Sequence, residues 1–167
     1  VRLIKANRST QHWSVELTQN DEVAAFATAV FAIRRPSWTH QPVAFPGAPP
    51  FDQVRPLPRS AFGMSWVKQY DFRFVEGAPS LSGQPNAKPA SPRSKLWIGD
   101  HAPRRIDMLS LLSMSDAFFG RIFHVRGELV PFGTVSLTTY FHTSAEDLAT
   151  EDIRNVLATA DAKVFTK

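Results

Sequence analysis

Between residues 36 and 58 the chain carries seven prolines: Pro36, Pro42, Pro46, Pro49, Pro50, Pro56 and Pro58. Each fixes φ and removes a backbone N–H, so neither a helix nor a central strand can run through this stretch. Regular structure must lie on either side of it. The stretch reads as an extended linker crossing the surface. It divides the chain into residues 1–35, a linker over 36–64, and residues 65–167.

Before the prolines the pattern is antiparallel β. From His12 to Leu17 the side chains alternate, with Trp13, Val15 and Leu17 on one face and His12, Ser14 and Glu16 on the other. Gln19-Asn20-Asp21 is turn chemistry. Val23 to Ile33 follows with Ala25, Ala27, Ala29 and Phe31 in phase, and with Phe26 and Val30 opposite. Two such runs around a short polar turn predict a hairpin. The alanines permit a helix on propensity alone, but the turn and the β-branched and aromatic ends favour strand. Val1 to Ile4 is also strand-patterned, as is the run ending at Val164-Phe165-Thr166-Lys167.

After the prolines, Ser65 to Val75 is strand-patterned through Trp66, Tyr70, Phe72 and Phe74, and Gly77 to Pro92 reads as a mobile loop rich in Gly, Pro and Ser. Lys95 to Ile98 is a short apolar strand stopped by Gly99-Asp100. A helix is predicted over about Arg105 to Phe119, with Ile106, Met108, Leu109, Leu111, Leu112, Met114, Ala117 and Phe118 around nearly the whole cylinder. Such a helix is expected to be buried, and Gly120 is suited to ending it. Thr134 to Phe141 alternates as a strand, and Val156 to Phe165 is read as another, with a helix over Ala145 to Ala160 left open on propensity. The order predicts an α+β fold in which an antiparallel sheet wraps round one helix.

Composition removes several chemistries. With no cysteine there is no disulfide, thiolate metal site or cysteine nucleophile. A net charge of +4 is a mild excess, and its basic residues are dispersed rather than gathered in the stripe a nucleic-acid binder uses, so no nucleic-acid partner is expected. No apolar run approaches the roughly 20 residues of a membrane span. His12, His101, His124 and His142 show no metal-ligand spacing, and no metal is expected. There is no G-x-S-x-G elbow and no glycine-rich phosphate loop after a strand. No cofactor is expected, and a cytoplasmic location is.

Two groups remain for chemistry. Asp116 falls in the last turn of the apolar helix, where the dipole disfavours a carboxylate and burial raises the cost of ionising it. That suits a general base, and a wet helix end is the plainer alternative. Thr134, Ser136, Thr138 and Thr139 make a hydroxyl-rich run after Gly133. The run reads either as ordinary strand threonine or as a source of one hydroxyl that positions water or substrate.

These residues resemble the acyl-CoA thioesterase II (TesB-like) family. Asn7-Arg8-Ser9-Thr10-Gln11-His12-Trp13, Glu16 to Gln19 and Ala27 to Ala32 look like the core of its first domain. Gly133 to His142 looks like a strand of its second domain, preceded by Tyr70-Asp71-Phe72-Arg73, Leu96-Trp97-Ile98 and Ser115-Asp116 in family order. The resemblance implies a double hotdog, with two tandem antiparallel sheets each curled round a helix. The first unit is expected to be incomplete at its start, with its last strands over residues 1–35. The second is expected to be incomplete at its end.

The resemblance also implies hydrolysis of acyl-CoA to fatty acid and CoA. Asp116 would act as general base and Thr134 would hold the water. A family glutamine with no counterpart in this chain would complete the site. Arg104 and Arg105 would meet the CoA phosphates. Leu109 and Leu112 would line an acyl tunnel beside Met114, or simply belong to the core. A homo-oligomer is expected. The alternative function is a non-catalytic hotdog module for acyl binding or assembly. A third, a dehydratase, would need a histidine on or just before the helix, and His101 lies outside it.

Overall fold

The computed structural model describes residues 1–60, 63–79 and 85–166. They form two compact units, Val1–Phe45 and Pro46–Lys167.

The first unit is a three-stranded antiparallel sheet of β1 (Arg2–Ala6), β2 (Thr10–Gln19) and β3 (Glu22–Ala32), in the order β1-β2-β3. Asn20 and Asp21 take φ of 52° and 64°, the left-handed pair that a two-residue hairpin turn requires. Asn and Asp tolerate that region better than other non-glycine residues. The turn pairs Gln19 with Glu22 and Thr18 with Val23, and a register shift between Leu17 and Thr18 then pairs Leu17 with Ala25, Val15 with Ala27 and Trp13 with Ala29. The hairpin has the expected turn, and beyond the shift the expected facing of Trp13, Val15 and Leu17 on the alanines, whereas Val23, opposite Thr18, is out of that phase.

The second unit holds the sheet β4-β5-β6, again antiparallel, formed by β4 (Tyr70–Glu76), β5 (Ser94–Asp100) and β6 (Val156–Ala160). Leu96 and Ile98 of the central strand point inward beside Phe72 of β4. They pack with Val67, Ile106, Met114, Ala117 and Phe119 into one core. Phe72 is its centre, in ring contact with Trp66, Tyr70, Phe74 and Phe119 at centroid distances of 5.5 to 6.4 Å.

The later half of the proline-rich stretch lies along this sheet. Prolines lack an N–H, so this segment has few backbone donors, and its carbonyls accept from the sheet. Trp97 Nε1 donates to Pro49 O at 2.9 Å, Lys95 Nζ to Gly47 O at 3.1 Å, and Arg73 Nη1 to Phe51 O at 3.1 Å.

Three helices connect β5 to β6: α1 (Met108–Ser115), α2 (Arg121–Arg126) and α3 (Ala145–Thr150). The predicted helix over Arg105 to Phe119 is shorter and less buried than expected. It starts at Met108 because the Asp107 carboxylate accepts from Ser110 N at 2.7 Å and caps it. It ends at Ser115, and the chain beyond turns Ala117 and Phe119 into the core. Met114 is buried, whereas Leu109 is 73% exposed and Leu112 46%. Only one side of α1 meets the sheet, so an apolar circumference does not become a buried one. Gly120 serves as the N-cap of α2, and Gly127 at φ 76° closes that helix.

Other differences follow from the same contest between local pattern and available partners. Ser65–Gln69 is a 3-10 turn, not strand. The last strand stops at Ala160. Ser144 and Asp147 form a reciprocal capping box that starts α3 inside the region left open between helix and strand. The Thr134–Phe141 run pairs with no strand among the described residues, and Val135, Leu137 and Tyr140 are exposed. Alternation alone does not produce a ladder: β5 is paired on both sides, and among the described residues the run does not join the outer edge of β4 or β6. Of the loop expected to be mobile, residues 80–84 lie outside the described ones. Its later part is tied to α2, with Asn86 N donating to Arg126 O at 2.6 Å and Asn86 Nδ2 to His124 O at 3.1 Å.

Candidate active site

The carboxylate singled out in the sequence sits at the C-terminal end of α1. Asp116 is the C-cap residue, with φ −101° and ψ −3°, and its backbone N–H returns to the carbonyls of Met114 and Ser113. Its side chain is exposed. Burial, half of the physical argument for a base there, is therefore absent, and the unfavourable position in the helix dipole remains. Thr134 is also exposed.

The contact that joins this helix end to the hydroxyl-rich run is made by neighbours of the expected pair. Ser115 Oγ lies 3.1 Å from Thr139 Oγ1. Ser115 also donates to Leu112 O at 2.7 Å. On the other side of the helix, the Tyr70 hydroxyl meets Ser113 Oγ, linking α1 to the start of β4. Nothing in the local sequence separates Thr139 from Thr138 or Thr134 as the contacting threonine, because the choice depends on where the run crosses the helix.

The four expected binding residues separate. Arg104 bridges Asp100 at 2.8 Å and Asp107 at 3.1 Å at the start of α1. The hydrogen bond to Asp107, then the charge of Asp100, raise its pKa further above the usual guanidinium value. Asp107 is held below the ordinary carboxylate range, first by the Ser110 N–H. Arg104 thus braces the helix start. Arg105 donates to Ala149 O at 2.9 Å and lies 3.8 Å from Asp152. Arg105 and Leu109 do come together, in an open groove of about 430 Å³ between the start of α1 and α3, lined also by Ile106, Met108, Leu148 and Ala149. Leu112 does not line it. The eight residues of α1 put this groove about 12 Å along the helix from Asp116.

Sequence reading missed the buried polar centre at α2. His124 is buried, and its Nε2 has no hydrogen-bond partner among the described residues. Burial, with a smaller contribution from the nearby Arg121 charge, lowers its pKa to about 4. Arg121 donates to Phe119 O at 2.6 Å and Ser94 Oγ at 2.7 Å, clamping α2 to β5. Burial lowers its own pKa. Among the described residues no cluster of His, Asp or Glu is arranged to hold a metal ion. No helix there is long and apolar enough to cross a membrane.

A family model described as the acyl-CoA thioesterase C-terminal domain matches residues 39–164. The chain belongs to that family. The match takes in α1, the hydroxyl-rich run and the whole β4-β5-β6 sheet. Among solved structures, a conserved protein of unknown function with a hot dog fold from Alicyclobacillus acidocaldarius is 32% identical, with a TM-score of 0.86 over 98% of this chain. The chain spans 60% of that protein. An acyl-CoA thioesterase II, TesB2, from Mycobacterium marinum is 25% identical with a TM-score of 0.47, over 69% of this chain and 41% of that one. No curated protein matches the sequence. The acyl-CoA thioesterase family resemblance and the α+β hotdog fold class expected from sequence both hold.

Proposed function

We propose that this chain is part of a double-hotdog enzyme that hydrolyses acyl-CoA thioesters to free fatty acid and CoA. The observation that carries the reading is the acyl-CoA thioesterase C-terminal domain match over residues 39–164, which includes both Asp116 and Thr134. In this reading residues 1–35 are strands of a first unit, 36–64 a linker, and 65–167 the second unit.

Asp116 takes a proton from water while the water oxygen bonds to the thioester carbonyl carbon. The carbon–sulfur bond then breaks and the proton passes to the departing thiolate. Thr134 holds the water through its hydroxyl. No covalent intermediate is needed, which agrees with a sequence that lacks both cysteine and a serine elbow. Holding water, base and carbonyl in line is the kind of positioning that lowers a barrier by several kcal/mol. Arg105 and Leu109 of the groove would receive part of the acyl-CoA, and Arg104 and Leu112, which do not line it, would act only where the ligand extends past it. A homo-oligomeric, cytoplasmic enzyme belongs to the same proposal.

The exposure of both Asp116 and Thr134 favours a second reading, a non-catalytic acyl-binding or assembly module. Free-thiol release from palmitoyl-CoA separates the two. The hydrolase reading expects turnover that falls at least about a hundredfold in Asp116→Ala. Turnover unchanged by that substitution rejects Asp116 as the base, and saturable binding without turnover selects the module.

A further inference from the structure

The geometry points to Thr139 as a positioning residue, paired with Ser115, that sets the hydroxyl-rich run against the Asp116 end of α1. The inference rests on the hydrolase reading above and deepens it.

A serine hydroxyl carries one proton and two acceptor lone pairs. Ser115 uses its proton on Leu112 O, at 2.7 Å. Its 3.1 Å contact with Thr139 must then be one in which Thr139 donates and Ser115 accepts. The result is a directed chain of hydrogen bonds, from Thr139 to Ser115 to the helix carbonyl, in which each bond polarises the next. It fixes the Thr139 rotor with its proton turned toward Ser115 and leaves its lone pairs available to accept from water. Thr139 is half-buried, whereas Thr134 and Thr138 of the same run are exposed.

The pair is also a direct hydrogen bond between this run and α1. Among the described residues the run belongs to no sheet, so no ladder there places it. Ser115 immediately precedes Asp116, so the contact sits within one residue of the carboxylate. Thr134 lies five residues ahead of Thr139, a span of up to about 17 Å in extended chain. Where Thr134 falls relative to Asp116 therefore depends on where Thr139 is anchored.

The test is steady-state hydrolysis of palmitoyl-CoA by the parent chain and by Thr139→Val, Thr139→Ser, Ser115→Ala and the Ser115→Ala/Thr139→Val double variant. Thermal unfolding of each is recorded alongside. Valine keeps the shape of threonine and removes the hydroxyl; serine keeps the hydroxyl. The expected result is a fall of about tenfold in kcat for Thr139→Val with KM within about twofold. Thr139→Ser should restore kcat, and the double variant should be no worse than the worse single one, because the two act through one bond. Parent-like kcat in both Thr139→Val and Ser115→Ala overturns the inference. Equal impairment of the valine and serine variants, or additive losses in the double variant, also overturns it. A parent chain without turnover rejects the hydrolase reading itself and the positioning role of Thr139 with it.

Discussion

The guanidinium carbon of Arg73 lies 3.8 Å from the centroid of the Phe51 ring. The same group donates to Phe51 O and Val54 O at 3.1 and 3.3 Å and pairs with Asp71 at 2.9 Å. One side chain of β4 thus supplies donors to a proline-rich segment that has few of its own. With the side chain only 18% exposed, these bonds are sheltered from competing water.

Arg73→Ala is expected to lower stability by about 2–3 kcal/mol, through lost hydrogen bonds to the Phe51 and Val54 carbonyls, the lost ring contact and an unpaired Asp71. Arg73→Lys should recover less than half, since an ammonium cannot reproduce the planar fork over a ring. Urea unfolding at neutral pH, read as the shift in midpoint, checks both. Equal stability of the alanine variant and parent would show that the segment is held without Arg73.

Buried His124 predicts a specific acid sensitivity. In the unfolded chain its imidazole takes a proton near the ordinary value of 6.5, whereas in the folded protein it does so only at about 4. Between those values the unfolded state binds more protons, so stability is full above about pH 6.5 and falls as the pH drops toward 4. The loss is on the order of 2–3 kcal/mol across that window. His124→Leu should lack this component, so the parent-minus-variant stability difference should shrink with acid between pH 6.5 and 4. Parallel stability curves for the two proteins in that window would refute the assignment.

Phe72 and Leu109 give opposite expectations for apolar truncation. Phe72 is 1% exposed at the centre of the aromatic cluster, and Phe72→Ala should cost about 3–5 kcal/mol. Leu109 is 73% exposed on α1, and Leu109→Ala should change stability by no more than about 0.5 kcal/mol. Denaturant midpoints decide this. A loss above about 1.5 kcal/mol for Leu109→Ala would mean that the residue is covered in solution.

The parts of this molecule that were legible in advance are those set within a few residues. The β2–β3 hairpin was readable because period-two alternation flanks an Asn-Asp turn, whereas the register shift between Leu17 and Thr18 leaves no mark in that pattern. The apolar β4 and β5 patterns were readable because Phe72, Leu96 and Ile98 had to be inside. Asp116 stands at the end of a helix as expected, and its exposure matches the wet helix end that was the plainer of the two readings, not the buried base. The expected set split, with Arg105 and Leu109 lining the groove while Arg104 is engaged by the carboxylates of Asp100 and Asp107 and Leu112 lies outside the lining. The short α2 was missed because six residues carry too little periodicity to stand out.

The sequence by itself determined the break into strand-patterned stretches around seven prolines, the hairpin turn and the absence of any cysteine chemistry. These follow from φ restrictions, turn stereochemistry and composition, which act locally. Only the tertiary structure decided which side of α1 is covered, that Thr134–Phe141 finds no strand partner, and that Thr139 is the threonine meeting Ser115. Those outcomes depend on which sheet edges and helix faces are already occupied when distant segments pack, and no window of neighbouring residues contains that information.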